Sequence, residues 1–150
     1  MIQLIEHQLP EEAARVYQIF QRSYPFEGRL LGVTDKDFPP LQRTAGMIAK
    51  SETTFYGYFQ ESLLAGVMEL TLSGVVRINS FVVDPNYFKK GIGSKMMQYV
   101  LKEFEASQYI VETGKQNLPA ISLYEKFGFK IIEEYPLPKG IVKVVMECCR

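Results

Sequence analysis

Two glycines lie between a β-rich segment and an amphipathic one, in the stretch Phe81-Val-Val-Asp-Pro-Asn-Tyr-Phe-Lys-Lys-Gly-Ile-Gly-Ser-Lys95. Glycine lets a backbone approach a ligand closely, and the free N–H groups in the first turn of a helix favour an anion. Lys89, Lys90 and Lys95 add positive charge beside these glycines. The same residues could form a tight turn with solvated lysines, but the strand-to-helix context favours a phosphate site.

Two common nucleotide-binding loops do not fit this spacing. The Rossmann fingerprint needs a third glycine three residues after Gly93, where this chain has Met96. The Walker A loop needs Gly-Lys-Ser/Thr, whereas Gly93 is followed by Ser94 and then Lys95. Both interpretations therefore fail on spacing.

A second group of residues follows further along the chain, at Asn117-x-x-Ala120-x-x-x-Tyr124-x-Lys126-x-Gly128-Phe129. It resembles the second motif of the GNAT superfamily of N-acetyltransferases. The segment Phe81-x-Val83-x-Pro85, followed by Gly91-x-Gly93, resembles the acetyl-coenzyme A motif of the same superfamily. The two motifs and the strands before them cover roughly Thr53 to Phe129, and their joint occurrence is more specific than either motif alone.

The resemblance implies an enzyme that moves an acetyl group from acetyl-coenzyme A to a primary amine, on a small molecule or a peptide N-terminus. Phe81, Val82 and Val83 would offer a strand edge to the pantetheine arm, because the next parallel strand splays away. Phe88 stands where the family usually has Arg or Gln, which changes the side-chain contacts of the loop. Six consecutive backbone amides would hold the pyrophosphate, those of Lys89, Lys90, Gly91, Ile92, Gly93 and Ser94.

Tyr124 lies where the family places a general acid. A phenol at that point can protonate the coenzyme A thiolate that leaves during acetyl transfer. Tyr124 could equally fill the core, and the motif match favours the catalytic role. Asn117 would cap a helix and also hydrogen-bond the cofactor arm. Strand N–H groups near Val82 and Val83 would polarise the thioester carbonyl while the amine attacks it directly.

The sequence identifies the base that removes a proton from the amine less clearly than it identifies the general acid. Glu69 and Glu112 are candidates on neighbouring strands, with Glu69 slightly favoured, although alternation along a strand would also let either side chain face solvent. A water relay is the third possibility. The single histidine, His7, and the adjacent Cys148 and Cys149 give no predicted Cys–His pair, and no metal site is predicted.

The acceptor would bind beside the segment Ser23–Arg43. Its aromatic and aliphatic residues could wall a pocket over the thioester, and its acidic residues could attract a cationic amine. An ordinary surface loop is an equally ranked interpretation of this segment. The residues concerned are Tyr24, Phe26, Phe38, Leu41, Glu27, Asp35 and Asp37.

The elements that position these residues follow from hydrophobic periodicity. Apolar residues at helical spacing predict helices from Pro10, within 41–50, over 92–104 and after Asn117, with a loop or broken helix over 23–40. The β-rich runs 53–59, 63–72 and 75–83 have short connections and predict an antiparallel meander. Further strands are predicted at 2–5, 109–113, 129–134 and 141–147, with 109–113 parallel to 75–83.

We therefore expect an α/β (α+β) fold of one domain over residues 1–150. It has a mixed, mostly antiparallel sheet of about six to seven strands and about four helices, in the order β-α-α-β-β-β-α-β-α-β-β. This order fits the GNAT resemblance.

Composition limits the partners. The 150 residues carry 17 Lys+Arg and 17 Asp+Glu, so the formal net charge is zero, and we expect neither nucleic-acid nor membrane binding. Without a signal-peptide pattern or a long apolar run, we expect a cytoplasmic protein. The apolar strand 141–147 could support a homodimer. The alternative to the enzyme is a non-catalytic coenzyme A-binding sensor or interaction module.

Overall fold

Seven strands pair into one mixed sheet in the computed structural model, which describes residues 1–149. Their order across the sheet is β1-β2-β3-β4-β5-β7-β6. The β4–β5 pairing is parallel and the others are antiparallel, which confirms the predicted mixed sheet. The strands are β1 (Ile2–Ile5), β2 (Thr54–Gln60), β3 (Leu63–Leu72), β4 (Val76–Val83), β5 (Gln108–Gly114), β6 (Lys130–Pro136) and β7 (Val142–Cys149).

Helices cover both faces of the sheet. One core cluster joins the inner faces of α3 and α4 to the sheet, and a second joins α1 and α2 to the opposite face. Within residues 1–149, none of the helices combines the length and apolar character needed to cross a bilayer. The helices are α1 (Pro10–Leu30), α2 (Ala45–Ala49), α3 (Ile92–Glu103) and α4 (Leu118–Lys126), and the element order is the predicted one.

Helix α1 is longer than the sequence predicts, because it continues through Pro25 to Leu30 instead of ending near Ser23. Proline removes one backbone N–H and crowds the preceding turn, which normally ends or kinks a helix. Here Tyr24 and Gly28 are buried on either side of Pro25, and this packing outweighs the local cost. The correction places residues 26–30 on a helix instead of a loop.

The sheet opens between β4 and β5. Among the described residues, the two strands pair at three positions, and the ladder ends at Ile78 and Val111. On the other side of β4 the register with β3 shifts by one residue, since Ser80 faces Glu69 but Ile78 faces Leu70. Such a bulge bends a strand, and the end of β4 leaves β5 as the resemblance implies.

Candidate active site

The loop between β4 and α3 ends in an open helix N-terminus. Gly91 has φ 75° and Lys89 has φ 63°, so both residues lie in the left-handed region. Helix α3 begins at Ile92, and its N-cap Gly91 supplies no side-chain hydrogen bond. The N–H of Lys95 is bonded to the Gly91 carbonyl at 3.1 Å, so the amides of residues 92–94 precede the helical ladder and point outward. These amides are the groups predicted to form an anion cradle, and the loop is called the cradle below.

The space above the cradle is open at Gly91. A Cβ built on Gly91 would have no atom within 4 Å, so a ligand can approach the backbone there. A side chain at this position would be strained, because φ is positive. The open backbone agrees with the predicted close approach of a ligand, and the binding of a pyrophosphate at this loop stays a prediction.

The lysines around the cradle differ in part from the sequence prediction. Lys95 turns towards β2, where its Nζ lies 3.5 Å from the Tyr58 hydroxyl and 5.9 Å from the ring centroid. Lys126 comes from α4 instead, and its Nζ lies 3.5 Å from the Ser94 Oγ. The first turn of α3 therefore receives positive charge from the second motif as well as from its own loop.

Phe88 occupies the position where a polar residue is usual in the family. Its ring packs edge-on against Phe26 of α1, with centroids 5.5 Å apart, and the Arg29 guanidinium carbon lies 4.6 Å from the Phe26 centroid. The edge-to-face pair ties the loop to α1, and the cation–π contact of Arg29 supports the Phe26 ring from within the same helix. The contact exists because α1 continues beyond Pro25.

The free edge of β4 carries backbone groups that face the opening. The N–H of Asp84 is bonded to the Ala65 carbonyl of β3 at 2.8 Å. Backbone groups alternate in direction along an antiparallel strand, so the N–H groups of Val83 and Phe81 point away from β3. The Ser23 hydroxyl donates to the Val83 carbonyl at 3.0 Å, which fixes α1 beside this edge.

A cavity of about 100 Å³ lies in the opening and brings α1, β4, β5 and α4 together. Tyr124 is buried there, with its ring centroid 5.8 Å from that of Phe81 and 5.9 Å from that of Phe129. Burial raises the pKa of Tyr124 well above its ordinary value, and the neighbouring Glu27 and Tyr24 add to the effect. The phenol is therefore a weaker acid than a solvated tyrosine, and it is protonated at neutral pH.

A chain of hydrogen bonds links three elements at the cavity. Asn117 caps α4 by accepting from the Ala120 N–H at 3.4 Å, as predicted, and its Nδ2 donates to the Thr113 Oγ1 at 3.2 Å. The Thr113 hydroxyl donates to Glu27 Oε1 at 3.3 Å. Burial raises the pKa of Glu27, although Lys143 and the hydrogen bonds from Asn117 and Thr113 oppose this rise.

Glu69 is held by several donors. Arg43 forms two hydrogen bonds to its carboxylate, at 2.7 and 2.8 Å, while Thr53 donates at 2.6 Å and Ser80 at 2.8 Å. Burial opposes ionisation, but these donors outweigh it, so the pKa of Glu69 is lowered. Its assignment as base stays a prediction, and its contacts favour an ionised carboxylate that orients Arg43.

Glu112 is exposed on β5, and the Tyr135 hydroxyl donates a hydrogen bond to it. This bond raises the pKa of Tyr135 to about 12. Glu112 lines the opening and also a neighbouring cavity of about 290 Å³ that contains Arg77 and Lys143. Glu112, the second predicted base, therefore lines the cavity, but its carboxylate already accepts a hydrogen bond from Tyr135.

The acceptor segment is partly as predicted. Tyr24 lines the opening and an adjoining cavity of about 320 Å³, and its ring packs against the buried Phe38 at 5.9 Å. Of the three predicted acids, Glu27 lines the opening, whereas Asp35 and Asp37 are exposed in a short 3-10 turn. The segment thus supplies one carboxylate and one aromatic wall.

Neither the ion pair between Arg43 and Glu69 nor the place of Glu27 in the cavity of Tyr124 was predicted from the sequence. Arg43 lies 26 positions before Glu69, so no local spacing connects them. Glu27 follows Tyr24 by three positions, and this helical spacing would have placed both on one face if α1 had been extended past Pro25.

Comparison with known proteins gives a family. The model of the acetyltransferase (GNAT) family matches residues 13–129. UPF0157 protein YqkA of Bacillus subtilis is 30% identical over 144 residues, covering 95% of this chain and 41% of that protein. The spermine/spermidine N(1)-acetyltransferase of Bacillus subtilis is 28% identical over 83 residues, covering 53% of this chain and 55% of that protein. The chain spans about half or less of the length of these curated relatives.

Solved structures share the fold. The ribosomal-protein-S18-alanine N-acetyltransferase of Escherichia coli superposes with a TM-score of 0.78 at 20% identity, over 99% of this chain and 92% of that chain. The PaiA N-acetyltransferase of Thermoplasma acidophilum, in complex with coenzyme A, gives a TM-score of 0.74 at 17% identity, over 100% and 99% of the two chains. Because the family model covers most of the chain and the fold agrees, the chain belongs to the GNAT family of acetyltransferases.

Proposed function

We propose that this chain transfers an acetyl group from acetyl-coenzyme A to a primary amine, by direct attack of the amine on the thioester. One observation carries the proposal: a strand edge and a buried phenol line the opening between β4 and β5, and the uncapped N-terminus of α3 follows the same strand in the chain. A phosphate-bearing thioester needs an anion site, a groove for its arm and a proton donor at its sulfur. These three features would meet those needs.

The binding of acetyl-coenzyme A is assigned to backbone groups. The amides of the segment 89–94 would hold the pyrophosphate, with Lys126 adding charge near Ser94. The outward N–H of Val83, nearer the cradle, would pair with the pantetheine arm as an added strand does. Asn117 lies at the same opening and would donate to the arm as well as cap α4.

The chemistry is assigned to the inner end of the opening. The N–H of Phe81, which lies further from the cradle than Val83, would donate to the thioester carbonyl and stabilise the negative charge that forms on it during attack. Tyr124, which is protonated at neutral pH, would then give its proton to the leaving sulfur. The buried setting strengthens both interactions because little water competes with them.

The acceptor class is a primary amine. A carboxylate, Glu27, and an aromatic wall, Tyr24, face the same cavity, and this pair suits a cationic nitrogen with an apolar neighbour. The names of two similar proteins specify spermine or spermidine, and an alanine of ribosomal protein S18, as their acceptors. Spermidine and a short peptide that begins with alanine are therefore the two acceptors to compare first.

The test follows thiol release from acetyl-coenzyme A with each amine. Tyr124→Phe should lower the amine-dependent rate by roughly 10²-fold while coenzyme A binding persists. Tyr99→Phe is the matched control, because this tyrosine packs against Tyr56 and Phe104 away from the cavity. Tight coenzyme A binding without thiol release for any amine would refute the enzyme and support the non-catalytic module.

A further inference from the structure

Glu27 reaches the reacting end of the cavity from α1. Its Oε1 accepts a hydrogen bond from the Thr113 hydroxyl of β5 at 3.3 Å, across the opening. The side chain lines the same cavity as Tyr124 and Asn117 of α4. A carboxylate therefore faces the phenol across the space where the thioester would lie.

The groups around Glu27 come from four elements. Tyr24 lies on its own helix, Tyr124 on α4, Glu112 on β5 and Lys143 on β7, and all of them line the cavity. Burial raises the pKa of Glu27 more than Lys143 lowers it, so the carboxylate has an increased affinity for a proton. Such a group accepts a proton from an ammonium more readily than a solvated glutamate does.

The other two candidate carboxylates are differently placed. Glu69 is committed to Arg43 and to hydroxyl donors, which lower its pKa and leave little tendency to take a proton. Glu112 is exposed and accepts the Tyr135 hydroxyl. Among the three, Glu27 combines burial and a place in the cavity of Tyr124 with neutral hydrogen-bond donors, Thr113 and Asn117.

We propose that Glu27 is the general base that removes a proton from the acceptor ammonium, an inference that rests on the proposed acetyl transfer. The ammonium gives one proton to Glu27, and the neutral amine forms the C–N bond. The C–S bond breaks and its electron pair leaves with sulfur, which takes the Tyr124 proton. After the attack the nitrogen loses a second proton, which returns the Tyr124 phenolate to its neutral form. Glu27 releases its own proton to water, so the reaction needs no further reactant.

The first test is the pH dependence of kcat/KM. Activity of the unaltered chain should rise with pH through the Glu27 ionisation, because only the carboxylate can accept a proton. Glu27→Gln should lower kcat by roughly 10²-fold and remove this rise of activity with pH, which is the acidic limb of the pH profile. Calorimetry should show an unchanged affinity for coenzyme A. Glu27→Asp should keep the limb at a reduced rate. Glu11→Gln, which changes an exposed glutamate in the first turn of the same helix, is the matched control and should keep both the limb and the rate.

A second variant tests the electrostatic surroundings. Lys143→Met removes the positive charge that lowers the pKa of Glu27, so the acidic limb should move to higher pH. An unchanged limb in Glu27→Gln, or a rise in KM alone with normal kcat, would overturn the assignment of the base. Absence of amine-dependent thiol release in the unaltered chain would instead refute the proposed function.

Discussion

Arg43→Met removes both charged donors from a buried carboxylate. Arg43 lies 2.7 and 2.8 Å from the two Glu69 oxygens, and the Glu69 side chain is 4% exposed. Loss of one partner from a buried ion pair costs about 3–5 kcal/mol. Hydroxyl donors from Ser51, Thr53 and Ser80 remain, and the Arg43 side chain is 26% exposed, so we expect about 3 kcal/mol, the low end of this range.

Urea unfolding at pH 7 measures this cost, and a thermal scan should show a fall in Tm of roughly 6–12 °C for a chain of this length. The pH dependence has a defined sign. The pKa of Glu69 is lowered in the folded protein. Its contribution to the free energy of unfolding is therefore present above its unfolded pKa, near 4.5, and is lost as the pH falls through its folded pKa. The difference in free energy of unfolding between Arg43→Met and the unaltered chain should therefore shrink below about pH 4.5.

Lys115→Met is the matched control, because Lys115 pairs with Glu134 at 3.1 Å and both side chains are exposed. This variant should lose less than about 1 kcal/mol. A cost for Arg43→Met no larger than that of Lys115→Met would refute the argument from burial. A difference that stays constant between pH 7 and pH 3 would refute the ionic origin.

Two further predictions use calorimetry and thermal scans. Gly91→Glu should weaken coenzyme A binding by roughly 10–100-fold, because it places negative charge at the anion cradle. Gly74→Glu is the control, because Gly74 is another open glycine with positive φ, and this variant should bind coenzyme A normally. Equal losses of affinity in the two variants would refute the placement of the pyrophosphate at Gly91. The pKa of Glu27 is raised, so its stabilising neutral form is present below the unfolded pKa and is lost as pH rises through the folded pKa. Glu27→Gln should therefore raise Tm more at pH 8 than at pH 4.5, and an equal shift at both values would contradict the burial cost.

The sequence predicts the parts of the fold that depend on local pattern. Helix α3 was predicted from the spacing of its apolar residues, and Ile92, Met96 and Val100 are buried on its inner face. The open first turn of α3 also follows from the sequence, since the glycines and the first helical turn are contiguous, and its role as an anion cradle stays a prediction. The strands of the meander follow from short connections between β-rich runs.

The parts that the sequence does not predict depend on contacts between distant positions. Thr113 and Glu27 are separated by 86 positions, and their hydrogen bond exists only because α1 lies across the opening. Local rules also end α1 at Pro25, whereas burial of its flanking residues extends it. Lys95 turns to Tyr58 for a similar reason, because a long side chain follows the nearest aromatic surface.

The position of β7 between β5 and β6 makes β6 an edge strand of the sheet. Among residues 1–149, β7 is the strand that pairs with β6, so the other side of β6 offers backbone groups without a strand partner. Ile131 and Ile132 of this strand are exposed. An edge strand with exposed apolar side chains is a surface at which a second sheet can add a strand, so this edge is open to self-association.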